Sequence, residues 1–338
     1  MLIMEEKISK MKRKTVLWLL ILCISLSVSL PCSAEGPENL LRLFGVIRSA
    51  WWAALEEQSA PPKIINRIAD PSACPDFAFP AGAELLDIWF PVIQNMDAAV
   101  FRYQGRWWML DCGDEFAPTE VVPLLKALNP PGIERVINTH PHHDHLDGFY
   151  AVNEAAPVRE LCVCFPPDAN ARMQKVIAYC RERGILVSSF QDEDLLLMGD
   201  GGVSFLCWQK PLDEEDMNNR SAQFMVSYGD CSILFMADIE LRGERQMYEV
   251  LGPAPLKADI LRYPHHGKEG MIEEFFRAVD PGLVIVTNAA NIATAKPGNR
   301  FLSYHKVPVA YTAQGCIHLI TDGRNWLAEI VSKGLSAD

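Results

Sequence analysis

The chain has no internal repeat at a solenoid period, no low-complexity tract and no C-x-x-C pair. Stacked-repeat architectures, biased disordered segments and the dithiol redox motif are thereby excluded. Positive charge is scarce as well: 31 Lys and Arg stand against 43 Asp and Glu, a formal net charge of −12. Such a surface repels phosphate backbones, so sequence-independent coating of nucleic acid is disfavoured, whereas a small anionic substrate held on a metal is not. Beyond the N-terminus no run is apolar enough to cross a membrane. What is present is an ordinary globular composition, 49% hydrophobic and 22% charged over 338 residues, enough for one large or two modest domains.

Lys10, Lys12, Arg13 and Lys14 precede VLWLLILCISLSVSL, which runs into PCSAEG. A basic region, an apolar region and a small-residue site in that order read as a secretory signal cut after Ala34. The apolar run, about 15 residues from Val16 to Leu30, falls short of the roughly 20 that span a bilayer, so an uncleaved anchor is the lesser alternative. Residues 1–34 carry five basic and two acidic side chains, which leaves 26 against 41 and a net charge of −15. Cys23 and Cys32 belong to this leader; the other eight cysteines sit mostly in apolar runs such as LCVCF and SFLCW, where a thiol is a small core group.

Residues 35–80 form an extension: an amphipathic stretch, NLLRLFGVIRSAWWAALEEQ, whose Trp51 and Trp52 suit a packing face, then a Pro-rich passage. It carries no recognisable chemistry, and either packs outside the rest or covers part of a cleft. From there strands and helices alternate. ELLDIWFPVI, DAAVFRYQ and RWWMLDCGD are strand-like, with Gln104-Gly105 as a hairpin turn; TEVVPLLKALN has helical period; ERVINTH reads as a buried strand. Strand LCVCF, helix ANARMQKVIAYCRERG and strand ILVSSF follow, then VSFLCW, AQFMVSYGD and CSILFMAD with a turn at Tyr228-Gly229-Asp230. Helix GERQMYEVLG, strand ADILRYP, helix MIEEFFRAVD, strand LVIVTNA and a closing pair, VPVAYT and CIHLITDG, complete the chain. Alternation with hairpins predicts an α/β fold of two mixed sheets flanked by helices.

Chemistry concentrates in Thr139–Gly148, THPHHDHLDG, where four of the eight histidines fall within six residues. On extended backbone His140 and His142 point the same way and can address one ion; Asp144 and His145, past a turn, can address a second. Neutral imidazole and carboxylate suit Zn, Mn or Fe, and two such ions about 3.5 to 4 Å apart support hydrolysis by a metal-bound hydroxide. One loop cannot complete two coordination spheres. Polar residues at the ends of other apolar strands supply the candidates: Asp238 after CSILFMA, and His265 and His266 after ADILRYP.

The motif T-H-x-H-x-D-H, met here by Thr139, His140, His142, Asp144 and His145, resembles that of metallo-β-lactamase-fold hydrolases. The blocks NNRSAQFMVSYGDCSILFMADIE, LKADILRYPHHGKEG and YTAQGCIHLITDG are similar to the soluble domain of the competence protein ComEC and its relatives, including secreted phosphorylcholine esterases. The resemblance spans roughly residues 84–325 and implies an αββα sandwich, assigned here to residues 81–338. It implies one metal on His140 and His142, a second on Asp144 and His145, Asp238 bridging them, and one histidine of the 265/266 pair closing the second; the Pro-Gly-His-Gly ending of the family favours His266 over His265, which would then face substrate as a proton donor. It also implies a phosphodiesterase acting on a small or cell-surface phosphoester; an exported nuclease of the ComEC type, lactam or lactone hydrolysis, and a metal- or ligand-binding protein that has lost turnover are the alternatives.

Departures from the pattern are specific. No histidine occurs from 146 to 264, and an Asn218, Asn219, Ser221 block stands instead; the resemblance implies either that one asparagine oxygen completes the first metal or that this metal binds weakly. The Gly-x-Gly-Asp of the first hairpin is Gln94-Asn95-Met96-Asp97, and the late Gly-His-Pro is Ala295-Lys296-Pro297. Asp111 is expected to orient a liganding imidazole. Lys268, Lys296 and Arg262 are candidates to meet a phosphate, and Arg102, Arg106 and Lys268 would have to line one groove for a nuclease. His143 is expected in solvent or facing substrate, His318 and His305 as satisfied core or surface groups, and Gly113 and Gly148 at tight turns.

Overall fold

The computed structural model describes residues 63–209 and 216–331. The chain divides into two units, Met1–Gln58 and Ser59–Asp338. The leader, Trp51 and Trp52, and the extension as far as residue 62 lie outside the described residues.

The second unit is built on two sheets. The nine-stranded sheet runs, in spatial order, β1 (Lys63–Asn66), β16 (Asn325–Val331), β15 (Cys316–Thr321), β2 (Leu86–Phe90), β3 (Ala98–Tyr103), β4 (Arg106–Cys112), β5 (Arg135–Asn138), β6 (Glu160–Val163) and β7 (Leu186–Ser189). The seven-stranded sheet runs β14 (Val309–Tyr311), β13 (Leu283–Val286), β12 (Ile260–Arg262), β11 (Cys231–Phe235), β10 (Gln223–Tyr228), β9 (Val203–Trp208) and β8 (Leu195–Met198). Both are mixed. β4 through β7 are mutually parallel, β3 and β15 run against them, and β2, β16 and β1 run with them.

Strand alternation explains the layering. In β3, Ala99, Phe101 and Tyr103 face the core between the sheets, whereas Ala98 and Val100 face the helices outside. Phe101 packs 5.0 Å from Phe205 and 5.7 Å from Phe235 across that core, and burying each such ring contributes about 2–3 kcal/mol. The outer face of the first sheet is covered by helices that include Phe149–Ala155 and Ala171–Arg183; that of the second by Leu241–Leu251 and Glu273–Val279. Strand β13, LVIV, is buried on both faces, which is why its sequence is continuously apolar. The result is the metallo-β-lactamase-like αββα sandwich, with the expected hairpin at Gln104-Gly105, both at positive φ.

Three features differ from the sequence reading. The helix expected over TEVVPLLKALN is two, Ala117–Glu120 and Val122–Leu128, because Pro123 fits only in the first turn of a helix and forces a new start. VPVAYT and CIHLITDG are not a pair: β14 edges one sheet and β15 lies inside the other, and Thr312 pins the crossover by donating its hydroxyl to the Ile93 carbonyl at 2.6 Å. Finally, the first sheet takes its edge strand β1 from within the stretch read as an extension, paired in parallel with β16. Among the described residues no helix is long and apolar enough to cross a membrane.

Candidate metal centre

The C-terminal ends of β4, β5, β11, β12 and β13 meet at one rim of the sandwich, where strands stop and backbone turns free side chains to converge. Asp111, next to last in β4, sits at φ 56; β5 delivers Thr139 and His140, followed by His142 and the one-turn helix His143–Leu146. Asp238 follows β11 past Ala237 at φ 47, and β12 leads into His265 and His266, both in the left-handed region. Such residues sit in strained conformations that hold only when the surroundings enforce them.

One oxygen, Asp238 Oδ2, faces four imidazoles. It lies 3.1 Å from His145 Nε2, 3.3 Å from His266 Nε2, 3.7 Å from His265 Nε2 and 3.9 Å from His140 Nε2. Asp144 Oδ2 is 3.5 Å from His266 Nε2, and His142 Nδ1 is 3.1 Å from His140 Nε2. His145 Nε2, His266 Nε2 and Asp238 Oδ1 are buried without a hydrogen-bond partner, an arrangement that native interiors avoid unless something else occupies the lone pairs. Two carboxylates and four imidazoles converging on one point, three of their atoms there without a partner, fit a divalent cation.

The imidazoles are braced from behind. His145 Nδ1 is 2.8 Å from Asp111 Oδ2, and Asp111 also accepts from the Thr139 amide at 2.8 Å, the Thr139 hydroxyl at 2.7 Å and the Asn138 amide group at 3.0 Å. His266 Nδ1 is 2.9 Å from the Thr287 hydroxyl. A bare Nε2 for ligation leaves the proton on Nδ1, where Asp111 and Thr287 accept it. Asp97 gathers with His145, Asp238 and His266. It nevertheless approaches the Nδ1 sides of the two rings, at 3.8 and 3.6 Å, opposite to Asp238, and is ion-paired with Arg262. Asp97 is therefore a support and not a member of the Nε2 face.

Charge follows from this packing. Burial opposes ionisation of Asp144, but His266 close beside it and the charges of His145 and His266 hold it far below the usual carboxylate range; Asp238 is lowered by the same two rings. Against burial, Asp238 and Asp111 raise His145, and Asp238 and Asp97 raise His266 to about 9. Burial, then the charge of His145, pushes His140 well below its ordinary value. Two protonated rings thus neutralise the carboxylates, and a cation entering would displace those protons.

The remaining expectations sort by contact. His266 is fully buried beside Asp144 and Asp238, whereas His265 is partly exposed, with Nδ1 3.4 Å from Glu240. Asn219 is committed: its oxygen accepts from the amides of Glu240 and Gly243, capping the helix Leu241–Leu251. Asn218 lies against His142, donates to Glu240 at 3.1 Å, and keeps a buried oxygen without a partner, as a ligand to the first ion would. Ser221 accepts from Gln223, and the Ala222 amide donates to the Thr139 carbonyl, tying this block to the histidine loop.

Arg262 corrects its expectation. It is 1% exposed and occupied by Asp97, Thr287 and the Ala237 carbonyl, so it cannot meet a substrate. Arg102 pairs with Asp87 over Trp89, and Arg106 pairs with Glu134 at the hairpin end of β3 and β4, opposite the rim; they form no groove with Lys268. Lys268 lies at the cluster, 3.4 Å from Asp144, and Lys296 is exposed. His143 is exposed, His318 bonds Asp87 at 2.8 Å while stacking on Trp89, and His305 bonds Glu273. A Cβ on Gly148 would strike the Cys112 carbonyl, so only glycine lets the following helix approach β4. The eight described cysteines are free thiols.

No family model matches the chain. It is 26% identical over 198 residues, 57% of its length, to ComE operon protein 3 of Bacillus subtilis, and spans only 25% of that relative. It is 24% identical over 249 residues to hydroxyacylglutathione hydrolase of Tolumonas auensis, covering 64% of this chain and 89% of that one. Among solved structures, the metallo-β-lactamase-fold protein YhfI of Bacillus subtilis aligns with a TM-score of 0.45 at 10% identity, over 67% of this chain and 96% of that one. The chain is thus similar in sequence to the group that its histidine motif resembles.

Proposed function

We propose that the protein is an exported, metal-dependent phosphodiesterase acting on a small or cell-surface phosphoester. The observation that carries the reading is the set of buried ring nitrogens and carboxylate oxygen without a hydrogen-bond partner on His145, His266 and Asp238, drawn from separate loops to one point and backed by Asp111 and Thr287. His140, His142 and Asn218 would hold one cation, Asp144, His145 and His266 a second, with Asp238 between them. Zinc suits this donor set best, with manganese and iron next. When bound, the cations supply the acidity that makes water a nucleophile near neutral pH and polarises the scissile group.

The chain's own residues do the rest. Burial holds His265 at about 4, so its ring is neutral at physiological pH. Its Nε2, beside Asp238, accepts the proton of the attacking water, and Glu240 beside Nδ1 steadies the charge the ring gains. The same atom then returns that proton to the departing oxygen. Asp111 and Thr287 keep His145 and His266 in the liganding tautomer throughout. Export rests on the basic, apolar and small-residue order of the first 34 residues.

The test is metal content by mass spectrometry together with hydrolysis of bis(4-nitrophenyl) phosphate, before and after chelation and in Asp144→Ala. Turnover that needs metal and falls by about a hundredfold or more in the variant is expected. Stoichiometric metal with no turnover of any ester would instead identify a binding protein.

A further inference from the structure

Lys268 directly follows the turn that carries His265 and His266. Its ammonium lies 3.4 Å from Asp144 Oδ2, the same oxygen that faces His266 Nε2 at 3.5 Å. The side chain is 32% exposed, so it reaches the cluster from the solvent side, unlike Arg262, which is enclosed beneath it. The one carboxylate oxygen that Lys268 contacts is thus among those offered to a divalent ion. With a cation on that oxygen, the ammonium loses its counter-charge and gains a like-charged neighbour. Its flexible stem lets it turn outward, and a compact point charge is suited to a single anionic oxygen.

We propose that Lys268 is a specificity residue that receives a non-bridging oxygen of a phosphoryl group lying over Asp144, Asp238 and His266, and so selects anionic esters over neutral ones. The inference deepens the phosphodiesterase reading and rests on it for the identity of the scissile group. Its physical basis is charge. With cations seated, the carboxylates Asp144 and Asp238 are outweighed, Asp97 is matched by Arg262, and Lys268 adds a further positive charge at the mouth of the cluster.

The test compares the metal-loaded wild type with Lys268→Met, which keeps an unbranched stem one atom shorter and removes the charge, and with Lys268→Arg. Inorganic phosphate is titrated calorimetrically, metal content is measured, and kcat and KM are determined on bis(4-nitrophenyl) phosphate. In Lys268→Met, phosphate binding is expected to weaken about tenfold and KM to rise by a similar factor, with kcat within about threefold, as for loss of one charge-assisted hydrogen bond. Metal content stays at the wild-type level, and Lys268→Arg recovers part of the phosphate affinity. Unchanged phosphate affinity in Lys268→Met overturns the proposal. So does a change confined to metal content, which would make Lys268 only a counter-ion for Asp144. Wild-type protein that binds phosphate through Lys268 yet hydrolyses no phosphodiester refutes the catalytic reading and leaves the anion contact standing.

Discussion

Replacing Glu244 with glutamine is expected to stabilise the protein, by an amount that grows with pH. Glu244 lies in the helix Leu241–Leu251 and is wholly buried. One carboxyl oxygen accepts from the Ile272 amide at 2.7 Å, and the other has no partner. Burial raises its pKa from 4.5 to about 8, the Ile272 amide pulls it down, and nearby Glu269 adds to the rise. Below the lower value both folded and unfolded chains carry the proton, and nothing is lost. Between the two values the unfolded chain releases it while the folded chain keeps it, so stability falls steadily as pH rises, and levels off above about 8. At about 1.36 kcal/mol per unit, the penalty reaches about 3 kcal/mol at pH 7. Glutamine keeps the acceptor for Ile272 and does not titrate, so the melting temperature at pH 7 should rise by about 6 °C. Thermal melts of both proteins from about pH 5 to pH 9 check this, since the gap should open with pH. A difference that stays constant across that range would refute the reasoning.

Three further outcomes follow from the rim. Asp111→Asn removes the charged acceptor behind His145, and metal affinity, read by competition with a chelator, should weaken about 10- to 100-fold with the fold retained by circular dichroism. Asn218→Ala removes the free oxygen beside His142, and the metal content per chain should fall by one ion while Asn219 still caps its helix. Gly148→Ala forces a methyl against the Cys112 carbonyl and to 2.8 Å from the Ala117 side chain; chemical denaturation should show a loss of about 2–3 kcal/mol.

What could be read from the sequence was whatever announces itself locally. The crowding of His140, His142, Asp144 and His145 is visible in one loop, and Asp238, His265 and His266 stand out as polar residues ending apolar strands. Asp111 was legible for the same reason. The Asp97–Arg262 pair was not, because a buried ion pair between residues so far apart in the chain leaves no periodicity behind; Arg262 alone looked like a phosphate contact. Thr287 and Glu240 also end apolar runs, and that signal could have found them beside His266 and His265. Period-two alternation identified VPVAYT and CIHLITDG as strands, but alternation carries no record of which sheet a strand joins. The strand β1, KIIN, is too short for its pattern to be distinguished from a loop.

The direction of β1 has a corollary. It runs with β4 and β5, whose far ends lead into Asp111 and His140, so its own beginning at Lys63 lies at the end of the sheet opposite the histidine and carboxylate cluster.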